Sequence, residues 1–202
     1  GGHPQCFEAW FTHVPGLKVV MPSTPADAKG LMKAAIRDDD PVLFFEHMYL
    51  YHGVRDVVPD GEHLVPIGRA EVKRPGKDVT VAATAWMVHR ALQAARQLAG
   101  EGIEVEVLDL RTLAPLDTAT LLASVRKTGR LVVAHEAWKI GGLGAEVAAT
   151  VAEQAFGSLR APIVRVGAPH IPVPAHPTIR RAFLPDAQGI ADAVRAVLKY
   201  SA

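Results

Sequence analysis

The sequence predicts an α/β fold built on a mainly parallel sheet. First, short apolar runs of strand length alternate with segments of helix length along most of the chain. Second, runs such as "VLFF" and "VTVAAT" are apolar at nearly every position, the pattern of a strand covered on both faces. Third, "IADAVRAVL" places Ile190, Ala193, Val194, Val197 and Leu198 on one side of a helix.

The elements follow in order. Val19 and Val20 sit in a short strand-like run stopped by Pro22. Ser23 or Thr24 can cap the next helix, with Pro25 pre-set for its first turn and Asp27 at the positive end of its dipole. Leu31, Ala34 and Ala35 form its apolar face, and Asp38, Asp39, Asp40 and Pro41 end it. "VLFF" is the next strand. From His52 the periodicity stops, and prolines, glycines and scattered charges read as a linker that holds at most one short strand.

Beyond it, "VTVAAT" is a buried strand, and Val88, Leu92, Ala95 and Leu98 share a helix face closed by Gly100 or Gly102. "IEVEVLDL" alternates Ile103, Val105 and Val107 with Glu104 and Glu106, so one face is expected to be open to water. A helix runs from Asp117 to a closing Gly129. A strand "RLVVAHE", a helix "GAEVAATVAEQAF", a strand "APIVRV" and the final amphipathic helix complete the series.

Composition narrows the class. The chain has 202 residues, enough for one large unit or two small ones. Its 22 Lys and Arg balance 21 Asp and Glu, so no net field favours nucleic acid or an anionic membrane. No apolar run has the length of a membrane span. With a single cysteine, Cys6, no internal disulfide can form, which fits a reducing compartment.

The chemistry-bearing motifs are few. Gly141, Gly142 and Gly144 follow a strand and open a helix, where free N–H groups bind anions. Val147 stands where a dinucleotide fingerprint needs its third glycine, however, so a tight turn that lets helix and chain pack closely is the favoured reading over a phosphate site. His135 and Glu136 end a strand, the usual place for functional groups in open α/β sheets, yet such a pair is more often a structural hydrogen-bonding pair or an interface contact than an acid–base couple. No histidine spacing suits zinc and no G-x-S-x-G elbow is present. Cys6 near His13 is a weak cue for a thiol nucleophile, against burial beside Phe7 and Trp10. "AAIRDDDP" crowds acids at a helix C-terminus, where carbonyls and carboxylates suit a hard cation and a solvated acidic turn is the competing explanation.

One resemblance reaches further. "HPQCFEAWFTHVPGLKVVMPSTPADAKGLMKAAIRDDDPVLFFEH" resembles the β subunit of the thiamin-diphosphate-dependent 2-oxo acid dehydrogenases of the pyruvate and branched-chain types. The likeness continues through "KDVTVAA", "MVHRALQAA", "VEVLDLRTLAPLD", "KTGRLVVAHEA" and "GGLGAEVAA". It implies that residues 1–51 are the C-terminal part of a pyrimidine-binding domain, the remnant of a unit whose first portion lies outside this sequence. Residues 52–77 are then a linker and 78–202 a transketolase C-terminal-type domain.

The resemblance implies roles for particular residues. His3, with Pro4 where the family's His-Ser-Gln motif has Ser, takes the place of the catalytic and cofactor-facing histidine. An imidazole suits that work because its pKa lies near neutrality. Main-chain oxygens of Ala35, Ile36 and Asp38, with Asp40, match a structural potassium site, Asp40 standing where relatives often have Asn.

Thiamin diphosphate with magnesium is the implied cofactor, held largely by segments outside this sequence and by an α subunit, since neither the family's activating Glu nor the Gly-Asp-Gly motif has a match here. The implied partners are that α subunit and a second β subunit in a heterotetramer, and a lipoyl acyltransferase core. Toward the C-terminus, near where relatives contact the acyltransferase core, His170 stands where the family usually has Asp. The implied location is the bacterial cytoplasm or the mitochondrial matrix. The isolated chain is expected to be inactive. A split transketolase, an acetoin dehydrogenase subunit or a non-catalytic assembly remnant are the alternatives.

Overall fold

The structure, a computed structural model, describes residues 5–200. In chain order the elements are α1 (Glu8–Thr12), β1 (Lys18–Val20), α2 (Pro25–Ile36), β2 (Val42–Phe44), α3 (Leu50–Gly53), β3 (Glu71–Arg74), β4 (Val79–Ala83), α4 (Trp86–Ala99), β5 (Val105–Asp109) and β6 (Thr112–Ala114). They continue with α5 (Thr118–Thr128), β7 (Leu131–Trp138), α6 (Leu143–Ala155), β8 (Val164–Ala168), α7 (Pro177–Phe183) and α8 (Ala187–Leu198).

A five-stranded sheet in the order β3-β5-β4-β7-β8 is parallel throughout except for its edge strand β3. The expected mainly parallel α/β architecture is therefore present. Alternate residues of β4 face opposite layers. Val79, Val81 and Ala83 pack with α4 and α8 on one side, while Ala82 joins α5 and α6 on the other. Caps set the helix ends where the sequence placed them. Thr24 Oγ1 accepts the Asp27 amide at 3.1 Å, Asp117 caps α5, and Gly129 closes α5 in the left-handed conformation at φ 71°.

A smaller sheet, β2-β1-β6, crosses the sequence. β1 and β2 are parallel, and β6 pairs antiparallel with β1. Val19 and Met21 enter the core formed by Ala82, Leu108, Leu121 and Val133. The edge of β1 that faces away from β2 is covered by β6. The turn after β5 carries Thr112–Ala114 back to cover that edge.

One correction concerns β5. All five of its residues are buried, Glu106 included at 1% exposure. The expected watery face lies under α5. Ser124 Oγ donates to Glu106 at 2.5 Å, Lys127 Nζ pairs with the same carboxylate, and Thr80 and Thr128 extend the polar cluster. A buried charge is tolerated when its lone pairs are satisfied in this way.

Candidate active site

The C-terminal ends of the strands gather the titratable groups, as open α/β sheets do. Glu136 sits near the end of β7. His47 follows β2 by three residues, and Glu8 is the first residue of α1. α1 packs against β1, β6 and α6, and the Phe11 ring lies 5.7 Å from that of Phe45, which seats Glu8 in the interior. On the other side, the Tyr49 ring lies 4.5 Å from that of Trp86 and fixes the segment after β2 on α4.

His47 Nε2 is hydrogen-bonded to Glu136 Oε2. The Tyr49 amide donates to His47 Nδ1 at 3.2 Å, so Nδ1 is the acceptor and Nε2–H faces the carboxylate. Glu8 is 2% exposed, and its Oε2 has no hydrogen-bond partner among the described residues. Burial pushes the Glu8 carboxyl up and the negative Glu136 adds to this, against its own backbone N–H and His47, which pull it down. Burial, followed by the charges of Glu8 and Glu136, pushes the Cys6 thiol up as well. The thiol therefore stays protonated and is no nucleophile.

The His135–Glu136 pair read from the sequence is not a bonded pair. Neighbouring strand residues point to opposite faces, and Glu136 meets His47 while His135 turns toward the start of α6. His135 is 1% exposed, and neither ring nitrogen has a hydrogen-bond partner among the described residues. Burial, opposed by the Ala137 backbone, which lies near the ring without forming a full hydrogen bond, and aided by the positive Arg165 and Lys139, brings its pKa down to about 4, so the ring is neutral.

The glycine run makes room for that ring. A Cβ on Gly144 would stand 2.5 Å from His135 Nε2, and one on Gly142 would stand 3.0 Å from Cε1. Close packing, the favoured reading, accounts for these two glycines, and Gly141 supplies a turn at φ 64°.

Beside His47 opens a cavity of about 230 Å³, lined among others by Ser23, Thr24, Glu46 and Tyr51. Of the residues singled out from the sequence, His3 lies outside the described residues. Ala35 and Ile36 end α2, and Asp38 and Asp40 lie in the turn that follows it. There Lys18 Nζ reaches Asp38 at 2.6 Å and Asp40 at 3.0 Å, and the Asp38 amide meets the Ala35 carbonyl at 3.4 Å. No group of three or more His, Cys, Asp or Glu among the described residues could hold a metal ion, and no helix among them is long and apolar enough to cross a membrane.

Sequence reading missed Glu8 and His47. Neither stands in a spacing pattern; only the position of His47 just past a strand offered a signal.

The two-sheet α/β architecture is that of a transketolase-type protein, as the family and structural matches show. The chain belongs to the transketolase C-terminal domain family, whose model matches residues 68–190; the model "Transketolase, pyrimidine binding domain" matches residues 2–53.

Among curated relatives, the chain is 52% identical over 197 residues to the β subunit of acetoin:2,6-dichlorophenolindophenol oxidoreductase of Cupriavidus necator, covering 98% of this chain and 58% of that one. It is 48% identical over 200 residues to the mitochondrial pyruvate dehydrogenase E1 component subunit β of Drosophila melanogaster, covering 97% and 55%. It is 45% identical over 199 residues to the 2-oxoisovalerate dehydrogenase subunit β of Bacillus subtilis, covering 98% and 61%. A solved split-gene transketolase, described as an inactive β4 tetramer, superposes with a TM-score of 0.81 at 31% identity, covering 96% of this chain and 61% of that one. These relatives bear out the resemblance to dehydrogenase β subunits, and the chain spans only about half to three fifths of their lengths.

Proposed function

We propose that the chain is the β-subunit portion of a thiamin-diphosphate-dependent 2-oxo acid dehydrogenase. It would form one wall of an active site shared with an α subunit in a heterotetramer that also holds a second β subunit. The observation that carries this reading is the His47–Glu136 pair beside the buried Glu8, built jointly by the two matched segments and following the His3 motif in the chain.

Thiamin diphosphate, when bound, supplies the carbanion chemistry needed to decarboxylate a 2-oxo acid. The described residues supply no carboxylate cluster for a magnesium-bound diphosphate, so the reading assigns that part to the α subunit. This chain's own work is to position groups and hold protons. His3 hydrogen-bonds or exchanges a proton near the substrate carboxylate and later the acyl-accepting lipoyl arm. His47 is pinned from both sides, by the Tyr49 amide and by Glu136. Glu8 retains a carboxyl proton more readily than an exposed glutamate.

The same reading includes a structural potassium ion at Ala35, Ile36, Asp38 and Asp40. Lys18 already holds the two carboxylates, so the ion would rely on main-chain oxygens. Residues 78–202 would carry assembly, with 1–51 closing the active site across the 52–77 linker. A lipoyl acyltransferase core would be the downstream partner, in the bacterial cytoplasm or the mitochondrial matrix.

A second reading, cleavage of acetoin, is favoured by the 52% identity to an acetoin oxidoreductase β subunit. Reconstituting the full-length protein with its α partner, thiamin diphosphate and magnesium, and measuring dye reduction with pyruvate, 3-methyl-2-oxobutanoate and acetoin, separates the two. A preference for either 2-oxo acid supports the first reading. Turnover confined to acetoin supports the second.

A further inference from the structure

Away from the His47 group, five charged or acidic side chains meet where the N-terminal segment crosses the end of β5. Arg111 Nη1 donates to Asp27 at 2.7 Å and to Glu71 at 2.8 Å. Lys73 Nζ reaches the same two carboxylates, at 2.8 and 2.5 Å. Two cations thus match two carboxylates. The fifth member, Asp109, is wholly buried. It takes the Ser23 hydroxyl at 2.5 Å and the Arg111 amide at 3.2 Å and has no cation of its own.

Ser23, also wholly buried, is held from the other side by His89, whose Nε2 donates to the Ser23 carbonyl at 2.7 Å. Arg111 adopts a left-handed φ of 50°, kept there by these contacts and by the Met21 amide on its carbonyl at 2.7 Å. One cluster therefore ties β1 and α2 to the end of β5 and the edge strand β3. The groups facing Asp109 are Ser23 after β1, Asp27 on α2, Glu71 and Lys73 on β3, and Arg111; His89 on α4 reaches it through Ser23.

We propose that the Ser23–Asp109 contact is a proton-operated joint. With Asp109 neutral the cluster is charge-balanced and holds the Pro22–Asp27 segment on the larger sheet. With Asp109 ionised, one uncompensated negative charge is left in the interior and the segment loosens. Burial of an unpaired charge is the cost that drives the opening. The segment that loosens contains Ser23 and Thr24, which line the cavity beside His47, so the joint couples proton concentration to the shape of that cavity.

Solvent conditions near neutrality fall in the working range of the joint. Burial, partly offset by Ser23, Lys73 and Arg111 and reinforced by Asp27, raises the Asp109 pKa to about 7. Asp27 is different. Burial acts on it too, but hydrogen bonds from Lys73, Thr24 and Arg111 outweigh it and hold its carboxyl below the usual range, so Asp27 stays ionised throughout.

The test uses the 202-residue chain. Carbon-13 NMR follows the Asp109 carboxyl through a pH titration, and amide hydrogen exchange, corrected for intrinsic rates, is compared at pH 6 and 8. An Asp109 midpoint near neutrality is expected, with about a tenfold loss of protection at Ser23, Thr24 and Asp27 between the two pH values, as one acid passing through such a midpoint requires. In Asp109→Asn, which is neutral at every pH, that local loss should vanish. An Asp109 midpoint in the ordinary carboxylate range overturns the proposal, as does a pH-dependent loss that persists in Asp109→Asn. If that variant does not fold, the wild-type titration and exchange decide alone.

Discussion

Lys18 Nζ lies 2.6 Å from the Asp38 carboxylate and holds Asp40 at 3.0 Å with the same ammonium. This contact answers the problem raised by an acidic run at a helix C-terminus, where negative charge opposes the dipole. A side chain one strand away supplies the compensating cation, and Lys18 and Asp38 stabilise each other's charged forms through their hydrogen bond.

Removing that cation should expose the turn's demand for another. In Lys18→Met, thermal stability is expected to fall at low salt and to be restored by potassium chloride more than by choline chloride. The wild type should show a smaller difference between the two salts. Equal rescue by both salts would mean that the turn has no site for the metal ion and only screens charge.

His135 and Asp109 should push stability in opposite directions with pH. The His135 pKa falls to about 4 on folding from an ordinary 6.5, so the unfolded chain binds the extra proton and stability rises with pH between those values. The Asp109 pKa rises to about 7 from 3.8, so the folded chain binds the extra proton and stability falls with pH until about 7. The two slopes, each about 1.4 kcal/mol per pH unit, oppose one another between about pH 4 and 6.5. Glu8, shifted upward like Asp109, adds to the falling side. Denaturant melts across this range should show Asp109→Asn gaining stability as pH rises and His135→Asn losing it. Parallel profiles for the two variants would refute the assignment.

Gly144→Ala should destabilise by about 1–3 kcal/mol, because its Cβ would stand 2.5 Å from His135 Nε2 in a closed interior. Shortening the ring, as in Gly144→Ala with His135→Ser, should recover part of the loss. A single variant as stable as the wild type would mean that the glycine is there for something other than room.

Removing residues 1–55 takes away Val19 and Met21 and strips β1 from β6. The face made by α4 and α8 keeps its core, from Val81 and Leu98 to Ile190 and Val194. The remaining domain is expected to melt cooperatively but at a lower temperature than the whole chain. A non-cooperative transition would show that the two parts fold only as one unit.

How much of this was legible in the sequence depended on range. The periodicity of residues 190–198 and the caps at Thr24, Asp117 and Gly129 are local patterns, and the structure reproduces them. Glu106 was misread because alternation reports only the strand's own polarity; its burial depends on Ser124 and Lys127 arriving on another element. β6 was missed because three residues carry no period. Glu8 and His47 were missed because what makes them a site is a meeting across the fold with Glu136, far along the sequence. The glycine run was legible as close packing, but the ring that it accommodates, His135, was visible only once β7 and α6 were assembled.

The central claim, that this chain is the β-subunit portion of a thiamin-diphosphate-dependent dehydrogenase, is tested most directly by turnover of the reconstituted full-length protein. Assembled with its α partner and supplied with thiamin diphosphate and magnesium, it should reduce dichlorophenolindophenol in a substrate-dependent way with a 2-oxo acid. His3→Ala should lower that rate by about 100-fold or more, the scale of a lost acid–base group. Glu8→Gln, which keeps the shape and removes the titration, should shift the pH profile with a smaller loss of rate. A properly assembled complex that turns over no 2-oxo acid, whether or not it cleaves acetoin, would contradict the account, and so would one whose rate is unchanged by His3→Ala.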